Sequence, residues 1–303
     1  MKFRLKHQIH DLLSAKGRDA AVVETLKNRI DEFYDKSVAS LRIHDGDCGG
    51  CLFVGRRANA ENGRGGLERA ATRSRTAVRP EVALTRALFN GRKEPLSGGW
   101  KIIAYEAPLL RRKEGNSEEK VWADLVALSD ELQPSKVLIL ENKVPKGDGL
   151  DHALLQAWLY AYIVYLHLHH KSKDGGVDFK YELTRCCKRY LGTDVSPAQE
   201  LRVRYAVLAP RDYYEGLSDE LLVRAQRIWD ELEKHTDEVK PEGFWRGTRD
   251  GQGGCLTYDG VSDGRCKPIL ARGVTFAHVA DFDALWEGPM GISGERPSGN
   301  AIK

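Results

Sequence analysis

Residues 136–144, KVLILENKV, constrain the fold more than any other stretch of this sequence. Four apolar residues, 137–140, indicate a buried strand, yet Glu141, Asn142 and Lys143 follow before Val144 closes the stretch. Burying a carboxylate and an ammonium costs several kcal/mol unless each finds a partner or a metal ion. The pattern therefore predicts a polar site where a core strand ends.

A second strand, VWADLVAL over 121–128, carries an acid in the matching place. Alternation predicts two faces that each hold one acid among apolar residues: Trp122, Asp124, Val126 and Leu128, and on the other strand Val137, Ile139, Glu141 and Lys143. A hairpin loop over 129–136 pairs Leu128 with Val137 and sets Asp124 opposite Glu141, with Cβ atoms roughly 5 Å apart. Like charges at that distance repel, so we expect Mg²⁺ or Mn²⁺ between them. Lys143 would then orient a water molecule or offset phosphate charge.

The rest of the chain predicts a mixed α/β core around these two strands. Strands are also expected over 101–110 and 201–209, helices over 67–90, 153–168 and 219–235, and a helical region over 1–45. The order is helix, three strands, helix, strand, helix, with no internal repeat and no phosphate-binding GxxxxGK[ST] loop. We expect three parts: a helical N-terminal region over 1–66, a core over 67–235 with an insertion at about 171–200, and a C-terminal segment over 236–303.

These residues resemble the PD-(D/E)xK nuclease superfamily, which carries an acid on one strand and acid-x-Lys on the next. Asp124, Glu141 and Lys143 match that pattern, although Ala123 stands where the family has proline. Two further matches resemble the RecB-like branch. Gln156-Ala-Trp-Leu-Tyr160 matches a Gln-x-x-x-Tyr motif on the following helix, and Glu106 in AYEAPL matches an acid on the preceding strand.

The resemblance implies a restriction-endonuclease-like α/β fold and a metal-dependent phosphodiesterase that prefers DNA to RNA. It implies metal binding by Asp124, Glu141, Glu106 and the backbone carbonyl of Asn142. Lys143, Gln156 and Tyr160 complete the expected catalytic set. A helicase or a defence-system protein is the partner that such nucleases suggest.

The six cysteines suggest a second site. Cys48 and Cys51 precede the expected core, while Cys255 and Cys266 follow it in a glycine-rich, irregular segment. Four thiolates could hold Zn²⁺ or an iron-sulfur cluster and join both segments. RecB-like relatives, including AddB-type and CRISPR-associated nucleases, can carry such a cluster with one cysteine before the core and three after. The two-and-two arrangement leaves zinc, cluster and free thiols open, and the adjacent pair Cys186 and Cys187 is read as ordinary residues.

Several charged residues have a simpler interpretation. Glu81 follows Pro80 at a predicted helix start, where the helix dipole favours an acid. Some members of the superfamily that the chain resembles use a glutamate of the first helix at the metal site, but the structural interpretation of Glu81 is preferred. Seven arginines between residues 56 and 79 either track phosphates or form a solvated helix face. Histidines 167, 169 and 170 end an apolar helix and are not assigned to a metal.

Composition leaves the class of function open. The formal net charge of +3 allows an anionic partner without requiring one. No signal-peptide run or membrane span is present in the sequence, so a cytoplasmic protein is expected. Two alternatives to an enzyme stay open: a catalytically silent nucleic-acid-binding or assembly subunit with the same fold, and a structural metalloprotein built around the cysteines.

Overall fold

The structure is a computed structural model of the 303-residue chain. It describes residues 9, 21–38, 81, 84–85, 88–89, 96–114, 117–145, 148–169, 179–188, 192, 194–247, 259–260, 266–267 and 276–286. The fold below is the fold of these residues.

Helices and strands alternate through the described part of the chain. The helices are α1 (Val22–Val38), α2 (Leu150–His169), α3 (Phe179–Cys186), α4 (Arg211–Glu215) and α5 (Asp219–Leu232), with a short 3₁₀ helix at Asp283–Leu285. The strands are β1 (Trp100–Glu114), β2 (Ser117–Ser129), β3 (Lys136–Asn142), β4 (Arg202–Pro210), β5 (Val239–Gly247), β6 (Asp259–Gly260), β7 (Cys266–Lys267) and β8 (Phe276–Val279). From β1 to α5 the predicted order of three strands, helix, strand and helix is observed, with the short helices α3 and α4 in addition. The helix predicted over 67–90 is described only at residues 81, 84–85 and 88–89, which are helical.

Six strands form one mixed sheet in the order β1-β2-β3-β4-β5-β8. Strands β1, β2 and β3 pair antiparallel, β3, β4 and β5 pair parallel, and β8 returns antiparallel to β5. Strands β6 and β7 make a separate two-stranded ladder. Parallel neighbours need a crossover, and α2 supplies it between β3 and β4. The protein is therefore an α/β protein, as the sequence predicts.

Helix α2 is the centre of the larger core. Its sequence is apolar on nearly every side, and 15 of its 20 residues are buried. It packs on β3 and β4 with one side and on α1 and α5 with others, so no face remains for solvent. Its buried acid, Asp151, lies 2.6 Å from the Arg224 guanidinium of α5. That ion pair offsets the cost of burying the carboxylate.

Helix α1 confirms the predicted helical character for its part of the N-terminal region. Val23, Leu26 and Ile30 lie on one face at helical spacing and are fully buried in the larger core. Polar contacts fix the same helix from the side: the Tyr162 hydroxyl donates to Asp31 over 2.9 Å, and Lys27 lies 2.5 Å from Glu238.

A smaller core covers the opposite face of the sheet. Leu138 and Leu140 of β3 point into it, and they meet apolar residues from a helical segment. We call this helical segment the Glu81 segment; its described residues are Glu81, Leu84, Thr85, Leu88 and Phe89. The central strands are thus buried on both faces, which explains why their sequences read as continuous apolar runs.

The sheet continues past residue 235, where the sequence patterns place the end of the core. Strands β5 and β8 lie within the predicted C-terminal segment, and β5 pairs with β4 from Val203↔Val239 to Pro210↔Gly247. Residue propensities do not predict β5, because its Pro241 and Gly243 are of types that are rare inside strands. The described part of that segment is therefore not wholly irregular.

The structure defines part of one predicted segment and corrects the predicted facing of one residue. The predicted insertion at 171–200 contains helix α3, whose Phe179 is 1% exposed and packs in the larger core. Trp122, expected on the face of Val126 and Leu128, is only half-buried, whereas Val121 and Ala123 are buried in that core. On the N-terminal side of Leu125, strand β2 pairs with β1 but not with β3. A two-stranded ribbon twists strongly, and this twist changes which side chains face the core.

None of the helices in the described part of the chain combines the length and the hydropathy that a membrane span requires.

Candidate metal-binding and catalytic site

The end of β3 brings the two predicted acids together. Strands β2 and β3 pair from Leu128↔Val137 to Leu125↔Leu140, which is the register that the hairpin loop predicts. Continued by one residue, this register places Asp124 opposite Glu141. The backbone amide of Asn142 donates to Asp124 Oδ2 over 2.9 Å and holds that carboxylate beside the strand end. Asp124 keeps partial exposure, while Glu141 is 4% exposed.

Lys143 lies next to Glu141 on the face of the sheet that carries α2. Its Nζ is 3.0 Å from Glu141 Oε1 and donates to Gln156 Oε1 over 3.1 Å. Gln156 Nε2 in turn donates to the Tyr160 hydroxyl over 3.1 Å. A continuous chain of contacts therefore runs from Glu141 to Tyr160. Gln156 reaches Lys143 from α2, and the i, i+4 spacing puts Tyr160 on the same side of the helix.

Burial and charge perturb the ionisation of the site. Burial, together with the charge of Glu141, raises the pKa of Asp124 well above its usual value. Burial lowers the pKa of Lys143, but the carboxylates of Glu141, Glu81 and Asp124 outweigh it and raise that pKa. Lys143 is therefore a permanent cation here. One ammonium faces several carboxylates, and a further positive charge would be favourable.

The donor set fits a small, hard cation. Mg²⁺ prefers oxygen ligands, keeps several waters, and is commonly bound through one or two carboxylates together with substrate phosphates. Asp124 and Glu141 supply two such carboxylates. In the described residues no group of three or more His, Cys, Asp or Glu side chains is arranged to hold a metal ion. A site completed by water and substrate needs no third side chain.

Glu106 occupies the matching position on β1, the other neighbour of β2. The pairs Tyr105↔Leu125 and Ala107↔Ala123 flank it, so the register sets its backbone opposite Asp124. The three acids thus lie in one row across β1, β2 and β3. The Glu106 side chain lies outside the described part of the structure.

Asn142 points to the other face of the sheet, as alternation predicts. Its side chain is fully buried and donates through Nδ2 to Thr85 Oγ1 over 2.9 Å. The neighbouring Lys143 amide donates to Leu208 O over 2.9 Å, which extends the pairing with β4 past the strand end. Metal binding by the Asn142 carbonyl stays a prediction.

Sequence reasoning missed two residues at this site and gave a third, Glu81, a structural role only. Asp148, on the loop after β3, is 60% exposed and lies 3.6 Å from Lys143 Nζ. Tyr213 of α4 holds that loop, since its hydroxyl donates to Asp148 O over 2.8 Å. Glu81 acts on the site through charge. Its signal was visible as Pro80-Glu81, but the same dipeptide is expected wherever a helix begins.

The predicted cysteine site is mostly outside the described residues. Cys48, Cys51 and Cys255 are among those the structure does not describe, and Cys266 is placed only as part of β7. Cys186 and Cys187 are buried and form no disulfide, and burial raises the pKa of Cys187 to about 11. A high pKa suppresses the thiolate form of Cys187.

His167 makes structural contacts near the C-terminal end of α2. It joins α2 to the neighbouring elements, since Nδ1 is 2.9 Å from the Tyr34 hydroxyl and Nε2 is 2.7 Å from Leu109 O. The carbonyl can only accept, so Nε2 carries the proton and Nδ1 accepts from Tyr34. Burial lowers the pKa of His167 to about 4.

Comparison with known proteins gives no relative for this chain: no protein-family model matches it, and neither does any curated protein or solved structure.

Proposed function

We propose that this protein is a divalent-metal-dependent nuclease that hydrolyses phosphodiester bonds, with DNA as the preferred substrate. The observation that carries the proposal is the Glu141–Lys143–Gln156–Tyr160 contact chain beside Asp124 at the end of β3. A surface Glu-x-Lys pair would be solvated and worth under about 1 kcal/mol. Here the lysine is 2% exposed, so its buried charge requires partners that compensate for the loss of solvation.

The proposal includes membership of the PD-(D/E)xK superfamily, in its RecB-like branch, with a restriction-endonuclease-like core. Three antiparallel strands, a crossover helix and a parallel strand stand in the order that this core requires. A helicase or a defence-system protein as partner, and zinc or an iron-sulfur cluster at the cysteines, belong to the same proposal. None of these carries the proposed chemistry, which depends on the acids, the metal ion they would hold, the lysine and the groups beside it.

The roles of the residues follow from their geometry. Asp124 and Glu141 would hold Mg²⁺ or Mn²⁺, which when bound supplies a Lewis acid and a more acidic water molecule. Lys143 stays protonated, so it serves as a fixed positive charge beside the scissile phosphate and not as a base. Gln156 and Glu141 fix the direction of that ammonium.

Tyr160 completes the set as a neutral donor. Burial, followed by the charges of Glu141 and Asp124, raises the pKa of its hydroxyl well above the usual value. The oxygen accepts from Gln156, so its own proton is available for a substrate oxygen.

A second candidate function, a nucleic-acid-binding or assembly subunit without turnover, is favoured by one observation. Glu141 and Lys143 are 4% and 2% exposed, which leaves a phosphate backbone little access to them. Such a subunit would bind nucleic acid equally well in EDTA and cleave none under any metal.

One experiment separates the two functions. The purified protein is incubated with end-labelled linear and circular DNA and RNA in Mg²⁺, Mn²⁺ or EDTA. We expect cleavage with either metal, none in EDTA, and at least about a hundredfold loss in Glu141→Gln. Asp230→Asn, which changes an exposed acid of α5, is the matched control. Equal cleavage by Glu141→Gln and the wild type would eliminate the proposed site.

A further inference from the structure

A buried hydrogen bond connects the site to the opposite face of the sheet. Asn142 lies between Glu141 and Lys143, and its side-chain amide donates to Thr85 Oγ1 over 2.9 Å. Thr85 Oγ1 in turn donates to Glu81 O over 2.9 Å. Asn142 and Thr85 are 0% and 1% exposed. The end of β3 is thereby tied to the helical turn that begins at Glu81.

The amide is a costly choice for a core position. Asn142 Oδ1 is also buried and has no hydrogen-bond partner among the described residues. A leucine, which has the same branching, would occupy the position without leaving an acceptor unsatisfied. The retained amide therefore indicates a role other than packing.

The hydrogen bond can do what the apolar contacts of the Glu81 segment cannot. Leu84, Leu88 and Phe89 hold this segment on the sheet, but apolar contacts are non-directional and permit small rotations of the helix. Thr85 follows Glu81 by four residues and so lies on the same helical face. Fixing Thr85 therefore fixes the backbone from which the Glu81 side chain extends. In this position the Glu81 charge acts on both Asp124 and Lys143.

We propose that Thr85 and Asn142 are positioning residues: their hydrogen bond holds Glu81 where its carboxylate strengthens divalent-cation binding at Asp124 and Glu141. The inference rests on the proposed metal site. Neither residue needs to touch the ion or the substrate, because both act through the placement of Glu81.

Calorimetric titration of the full chain with Mn²⁺ tests this positioning role. Thr85→Val removes the hydroxyl at nearly constant shape, and we expect the dissociation constant for Mn²⁺ to rise about tenfold, as for other residues that support metal ligands. Glu81→Gln should give a similar rise. The Thr85→Val/Glu81→Gln double variant should bind no more weakly than Glu81→Gln alone, because both changes remove the same contribution. Thr85→Ser should restore wild-type affinity.

The matched control is Thr184→Val. Thr184 makes the same hydroxyl-to-carbonyl bond on α3, to Lys180 O over 3.0 Å, and its loss should leave Mn²⁺ binding unchanged. If Thr85→Val does not fold, Asn142→Leu removes the same hydrogen bond and serves in its place.

Two results would overturn the positioning role. One is a lowered melting temperature in Thr85→Val with unchanged Mn²⁺ affinity, which would show a purely structural bond. The other is a double variant whose loss is the product of the two single losses. If the wild type binds Mn²⁺ and Asp124→Asn abolishes it, the metal site stands whatever Thr85→Val does. If the wild type binds no Mn²⁺, the metal site and the positioning role both fall.

Discussion

Replacing Asp124 by asparagine should stabilise the metal-free protein while removing the benefit of metal. Asparagine keeps an oxygen that can accept from the Asn142 amide, so only the charge is lost. The pKa of Asp124 is raised by burial and by Glu141, which means that its ionised form opposes folding above the usual pKa of an aspartate. At neutral pH the substitution removes that penalty.

The expected magnitude follows from the spacing of the acids. Two charges roughly 5 Å apart interact by about 3 kcal/mol at an effective dielectric constant of about 20. The attraction between Asp124 and Lys143 offsets part of this repulsion. We therefore expect Asp124→Asn to raise the free energy of unfolding by about 1–2 kcal/mol in EDTA. The wild type should gain about 2.7 kcal/mol from Mn²⁺ at a hundred times its dissociation constant, and Asp124→Asn should gain almost none.

Denaturant unfolding with and without Mn²⁺ measures both effects on one pair of proteins. The order of stability should reverse: Asp124→Asn is more stable in EDTA, and the wild type is more stable in Mn²⁺. Asp230→Asn, at an exposed position on α5, should follow the wild type in both conditions. A less stable Asp124→Asn protein in EDTA, or an equal gain from Mn²⁺ in both, would refute the reasoning.

Three other predictions concern residues around the site and in the core. Gln156→Leu removes the amide acceptor of the Lys143 ammonium and should lower cleavage about 10–100-fold in single-turnover assays; an unchanged rate would exclude its orienting role. His167 has a folded pKa of about 4, below the usual 6.5, so its stabilisation is complete above pH 6.5 and lost as the pH falls towards 4. Denaturation of His167→Gln should accordingly show a weaker loss of stability between pH 7 and 4.5 than the wild type. Arg224→Met should lower the free energy of unfolding by about 3 kcal/mol, because Asp151 stays buried without its cation; a loss under about 1 kcal/mol would show that the carboxylate finds another partner.

The sequence predicted those parts of the site that depend on local periodicity. Alternation along two strands and one hairpin loop set Leu128 against Val137, and the observed pairing follows. The i, i+4 spacing of Gln156 and Tyr160 likewise places both side chains on one face of α2, and the hydrogen bond between them follows. These relations hold within a strand, a turn or a helix, and the pattern of residues is enough to determine them.

Contacts across long separations left no such pattern. The Asn142–Thr85 hydrogen bond joins residues 57 apart in the chain, and neither residue type indicates which residue it will contact. Strand β5 was missed because a glycine such as Gly243 is rare inside a strand. In the structure this residue has a φ of 94°. A Cβ at Gly243 would lie 2.2 Å from Val279 O, so the close approach of β8 requires glycine there. Only the assembled sheet shows why that glycine lies inside a strand.

Anomalous diffraction from crystals soaked in Mn²⁺ tests the central claim most directly. The account predicts a peak between Asp124 and Glu141, with carboxylate oxygens about 2.1–2.2 Å from the ion. Crystals of Asp124→Asn should lose that peak. A soaked crystal with no peak at the end of β3, or with Mn²⁺ bound only elsewhere, under conditions in which the protein cleaves DNA, would contradict the account.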